Sequence, residues 1–123
     1  MGMSGNMTVR LGSVVLGSPD PQRLARWYRT AFAPDAPDGV VLELGAGSRL
    51  IFDARTDVAP APREPGRVLI NLYVADAHAV AAHLTGLGVR WVRPLEPFPP
   101  GLIGTVEDAD GNYVQVVQLG GPA

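Results

Sequence analysis

Gln115 is a primary amide placed in the middle of an alternating stretch, Tyr113-Val114-Gln115-Val116-Val117. In a strand the side chains alternate, so Tyr113, Gln115 and Val117 share one face and Val114 and Val116 the other. A polar group on such a face is either hydrogen-bonded within the protein or lines a cavity. Asn71 and Tyr73 share a face with Leu69 in a second apolar stretch, and Ser13 lies in a third. Amides, a hydroxyl and a phenol can orient an organic molecule through hydrogen bonds. They are a poor set for acid–base or nucleophilic work. The chain has no Cys and no Gly-x-Ser-x-Gly, and no His is placed to activate a serine. Its two histidines, His78 and His83, are five apart on a predicted helix, so they do not share a face and read as surface residues. No glycine-rich phosphate loop opens either predicted helix.

These groups need elements to hold them. Val9 to Leu16 reads as a strand with Val9, Leu11, Ser13 and Val15 on one face. Asp20 then caps a helix over Gln22 to Phe32, with Pro21 at its first position and Leu24, Trp27, Tyr28 and Ala31 as its buried stripe. Strands follow at Val40–Leu44 and Arg49–Asp53. Ala54 to Gly66, rich in Pro and Ala, reads as a linker. The second half starts again: a strand from Arg67 to Val74, Asp76 as cap, and a helix from Ala77 to Leu87 closed by Gly88. Strands at Val89–Val92 and Leu102–Val106 flank a four-proline segment around Phe98, read as a structured loop or broken edge. The turn Asp108-Ala109-Asp110-Gly111-Asn112 leads into the last strand.

The order strand, Asp-capped helix, further strands therefore occurs twice. Residues 9–53 form a first βαβββ module, 54–66 join it to a second over 67–119, and the whole is one α+β domain. Two such half-sheets are expected to curl together, helices outside, around a shared concave interior. Only two strands are legible after the first helix, so the first module is short of one.

Composition narrows the functions. A chain of 123 residues, 46% hydrophobic and 18% charged, supports one domain with a sizeable core. A net charge of -2 argues against nucleic acid as partner. Without cysteine there are no disulfides or thiolate metal sites. No apolar run approaches the roughly 20 residues of a membrane span. The first residues lack the charged and apolar regions of a signal peptide. A soluble cytoplasmic protein is expected.

Ser18-Pro19-Asp20 closing a strand, with Trp27-Tyr28 seven and eight positions after Asp20, resembles the opening of the vicinal oxygen chelate superfamily. This is the group of glyoxalases, bleomycin-resistance proteins and extradiol dioxygenases. Asp108-Ala109-Asp110-Gly111-Asn112 before a strand resembles its closing signature. The resemblance spans nearly the whole chain and implies paired βαβββ modules and a homodimer. Enzymes of the group hold a divalent metal with inward-facing His and Glu residues. Carried over position by position, those places fall here on Ser13, Ile51, Leu69 and Gln115. Ile and Leu cannot ligate and Ser is a poor ligand, so no metal and no cofactor is expected. The resemblance then implies a metal-free binder of a small organic ligand, such as an antibiotic or metabolite. A metal-dependent lyase or dioxygenase and a non-catalytic scaffold or regulatory subunit are the alternatives, and catalysis is the less favoured outcome. The expected ligand-binding set is Ser13, Ile51, Leu69, Asn71, Tyr73, Trp91, Phe98, Tyr113 and Gln115. Arg49, level with Tyr113 in the repeat, would favour an anionic ligand if it pointed inward; otherwise it is a solvated surface charge.

Overall fold

Each half of the chain enters its helix through an aspartate. In the computed structural model, which describes residues 7–45 and 47–120, Asp20 Oδ1 accepts from the Arg23 N–H at 3.2 Å. Helix α1 runs over Pro21–Phe32, with proline at its start. Asp76 accepts from the Ala79 N–H at 3.1 Å and opens α2, Ala77–Gly86. Both caps satisfy an N–H that a helix start leaves free, which is worth about 1 kcal/mol each. Gly88, at φ +79°, turns the chain out of α2 as expected.

Among the described residues the strands form two sheets. The first has the order β1-β3-β2, with β1 at Val14–Ser18, β2 at Val41–Glu43 and β3 at Arg49–Ala54. The second has the order β4-β7-β6-β5, with β4 at Ile70–Tyr73, β5 at Trp91–Phe98, β6 at Gly101–Glu107 and β7 at Tyr113–Gln118. This is the α+β arrangement of two repeated modules, the first of them lacking one strand. In each module the strand before the helix runs parallel to the last strand: Val14 pairs with Leu50 and Ile70 with Val114.

One strand assignment differs from the expectation, and one open choice is decided. Val9 to Ser13 lie outside β1, because pairing begins at Val14 opposite Leu50 and β3 itself starts at Arg49. Of the two readings of the proline-rich segment, the broken edge holds: β5 continues through Pro94 and Pro97 to Phe98. It lies at the sheet edge, where a missing N–H interrupts little, and its register with β6 shifts twice on the way.

The alternation of β3 and β7 sorts their side chains. Leu50, Phe52, Val114 and Val116 are buried in one core together with Leu24, Tyr28 and Ala31 of α1 and Leu84 of α2. Each buried Val, Leu or Phe side chain among them contributes about 1.5–3 kcal/mol through its burial. Tyr28 lies 5.4 Å from Phe52, centroid to centroid, and Trp27 meets Tyr28 edge-on at 4.9 Å. The helices thus cover one face of each sheet; on the second sheet the opposite face still buries Ile103, Thr105 and Val117. On the bare side of the first sheet Val15 remains 55% exposed.

The halves are joined by a buried polar knot. The Tyr28 hydroxyl donates to Asp108 Oδ2 at 2.7 Å. The Asn112 side-chain amide donates to the same oxygen at 2.8 Å. Asp108 Oδ1 accepts from the N–H groups of Asp110 and Asn112 at 2.9 and 3.0 Å. The expected turn chemistry is there, and it also anchors the first helix.

Candidate functional site

β1 and β4 are edge strands of different sheets, and their edges do not pair. The gap between them is a cavity of about 900 Å³. One side is built from the start of β1 and the β2–β3 turn, through Ser13, Leu44, Ser48 and Arg49. The other is built from β4 and α2, through Leu69, Asn71, Tyr73, Val80 and His83. Ala31 and Phe32, at the end of α1, also line it. Both faces of β4 contribute, because a strand at a sheet edge presents both to the gap. The wall is largely aliphatic and aromatic, with a few hydroxyl, amide and cationic groups. This is the usual make-up of a site for a drug-sized organic molecule.

Four of the expected ligand-binding residues line this cavity: Ser13, Leu69, Asn71 and Tyr73. Tyr73 is 65% exposed, so its ring is available to a guest. The other five do not line it. Ile51, Tyr113 and Gln115 sit on the faces of their sheets turned away from the helices. There Gln115 lies level with Asn71 and Thr105, and its side-chain amide donates to Thr105 Oγ1 at 3.1 Å. The neighbouring strand thus answers its polarity. Trp91 lies on the opposite, helix-covered face. Its indole N–H donates to Thr85 Oγ1 of α2 at 3.2 Å, and a methyl group on Gly104 would come within 2.9 Å of its ring. Trp91 is a packing residue, placed there by its pairing with the buried Val106. Phe98 ends β5 beside the turn to Gly101 and is half exposed.

His83 was expected at the surface, and it is exposed. It also lines the cavity, and its Nε2 lies 2.9 Å from the Thr30 carbonyl oxygen. A carbonyl only accepts, so Nε2 carries the hydrogen and Nδ1 is left for another partner. No local pattern announces this contact; it exists because α2 packs against the end of α1. Arg49 lines the cavity as well, and its Nε is 3.3 Å from Glu43 Oε1.

The metal of the resembling enzymes does not fit these residues. Ile51 and Leu69 offer no donor atom, and the amide of Gln115 alone cannot hold an ion. Among the described residues no three His, Cys, Asp or Glu side chains converge as a metal site would require. Asp108, the most buried carboxylate, belongs to the knot. Burial pushes its carboxyl above the ordinary carboxylate value, against the opposing pull of its hydrogen bonds from Tyr28, Asn112 and Asp110. The Tyr28 phenol is raised well above its usual value, first by burial and then by the Asp108 charge, so it stays protonated and donates. Both groups lie away from the cavity wall and serve the fold.

A module of strand, Asp-capped helix and further strands, repeated once around a cavity, defines the class of two-module vicinal-oxygen-chelate-type proteins. The chain belongs to the glyoxalase-like domain family, whose model matches residues 13–117. No curated protein sequence matches it. Among solved structures it is similar to TnmS3, an antibiotic binding protein from Streptomyces sp. CB03234, with 20% identity over 91% of this chain and 97% of that one, at a TM-score of 0.67. It is also similar to lactoylglutathione lyase from Agrobacterium tumefaciens, with 18% identity over 91% and 95% and a TM-score of 0.66. The oxidase ChaP-H2 shows 17% identity over 91% and 94%, at 0.69. At these identities the likeness is one of fold. No helix among the described residues is long and apolar enough to cross a membrane.

Proposed function

We propose that this protein binds a small, largely apolar organic molecule in the cavity between β1 and β4, without a metal. The observation that carries the reading is the cavity itself. A space of about 900 Å³ walled by Phe32, Leu44, Leu69 and Val80 is large enough for an aromatic antibiotic or metabolite. Ser13, Asn71 and Tyr73 supply its hydrogen-bonding points. A scaffold with a filled interior would not have this space. The antibiotic-binding fold neighbour supports sequestration as the role; the lyase and oxidase neighbours share the fold, but among the described residues of this chain no three His, Cys, Asp or Glu side chains converge on a metal. Val15 and Val41, each at least half exposed on the bare face of the first sheet, give a homodimer an apolar surface to bury, which sedimentation velocity would read directly.

The test is a thermal-shift screen of aromatic antibiotics and metabolites on the wild type and on Ala79→Trp. Ala79 is exposed on α2 and lines the cavity, so the indole fills the space without disturbing the core. A ligand at 100 times its dissociation constant raises stability by about 2.7 kcal/mol, a shift of several degrees for a domain of this size. The expected outcome is a shift in the wild type that Ala79→Trp abolishes. A panel that leaves the wild type unmoved at high concentration would sink the reading. A stoichiometric Zn, Ni, Mn or Fe in protein purified without chelator would favour a metal-dependent lyase or dioxygenase instead.

A further inference from the structure

We infer that the ligand of this cavity is an acid: a ring-bearing, apolar molecule carrying a carboxylate, sulfonate or phenolate that Arg49 and His83 receive. The inference rests on the binding reading above and specifies its ligand class. The chain carries twelve Asp and Glu residues and a net charge of -2, yet no Asp or Glu is among the described residues that line the cavity. The charged or readily charged groups on its wall are Arg49, from the first sheet, and His83, from the second module. An acidic protein thus presents a cavity whose wall attracts anions.

Each group is engaged elsewhere through one nitrogen only. The Arg49–Glu43 pair is exposed on both sides, at 55% and 63% of side-chain area. Exposed pairs of this kind hold weakly, and Nε is the atom that faces Glu43, so the terminal guanidinium N–H groups remain for a guest. His83 donates through Nε2 to the Thr30 carbonyl. That bond holds the ring in place and leaves Nδ1 as a hydrogen-bonding atom for an acid group. It also occupies a carbonyl in the last turn of α1, where the helix carries partial negative charge that would oppose an anion. Ser48 and Asn71 add neutral hydrogen-bonding groups on the same wall.

The experiment uses two fluorescent probes of nearly the same shape: anilinonaphthalene sulfonate, an anion, and phenylnaphthylamine, its neutral parent. Both are titrated at low salt into the wild type, Arg49→Gln, His83→Gln and Ala79→Trp. Glutamine at position 83 keeps a donor for Thr30 while removing the titratable ring. The expected result is that Arg49→Gln and His83→Gln each weaken the sulfonate roughly three- to tenfold and leave the neutral probe unchanged. High salt should reduce the Arg49 effect by screening. Ala79→Trp should expel both probes. If either charge variant shifted the two probes alike, or left the sulfonate unmoved, the acid preference would be overturned and the cavity would stand. If neither probe bound, or if Ala79→Trp displaced neither, the cavity reading would fall as well.

Discussion

A single carboxylate ties the two halves of this molecule together and gives it a particular response to pH. Asp108 is buried, and its folded carboxyl takes up a proton at higher pH than the same group in the unfolded chain, whose value is about 3.9. Between those two values the native state binds more protons than the unfolded one, so stability falls as pH rises. The contribution is complete below the unfolded value and is lost as pH rises through the folded one. Asp108→Asn removes that step. Urea midpoints measured from about pH 7 down to about pH 4 should therefore show the wild type gaining on Asp108→Asn as the solution becomes more acidic; parallel curves would contradict the assignment. The partner can be probed separately. Tyr28→Phe deletes the donor to Asp108 Oδ2, which keeps the Asn112 amide. A loss of about 1–3 kcal/mol is expected, with the cavity and its ligand affinity unchanged.

At the scale of elements, the feature that decides most is the path of β5. Pairing opposite the buried Val106 sets Trp91 on the helix side of the sheet, over a glycine in β6. A methyl group at Gly104 would meet the Trp91 ring at 2.9 Å and the Leu95 backbone at 3.2 Å. Backbone cannot yield as a flexible side chain can, so Gly104→Ala should destabilise by about 1–3 kcal/mol. The urea midpoint measures this, and tryptophan emission should shift with it as the indole loses its seat. An unchanged midpoint would show that β5 adapts. The same geometry explains why Trp91 is not a ligand contact although its residue type suggests one.

For the whole molecule, the question is whether the cavity works without a metal. The places that hold the ion in the resembling enzymes carry Ser13, Ile51, Leu69 and Gln115, and two of them have no donor atom. Dialysis against a chelator is accordingly expected to leave both the melting temperature and the affinity for an apolar probe unchanged. A melting temperature that fell with the chelator and returned on adding zinc would contradict the metal-free reading.

Sequence alone determined what is local. Asp20 and Asp76 mark helix starts because a carboxylate three residues before a free N–H bonds it whatever the surroundings. The alternation in Tyr113–Val117 set Val114 and Val116 together on one face, because the period of a strand is two in any protein, and both are buried in the core. The missing strand of the first module was legible in the same way. The cavity was not, because it is a gap between β1 and β4, edges that belong to different sheets and are separated by more than fifty residues. Alternation says that Ser13, Asn71 and Gln115 share the character of inward residues; it does not say which of them meet. Only the packing of α2 against the end of α1 brought His83 to Thr30 and onto the cavity wall, and only the strand register gave Gln115 to Thr105. Local geometry is set by bonds between near neighbours, whereas a cavity is set by where two separately formed sheets come to rest.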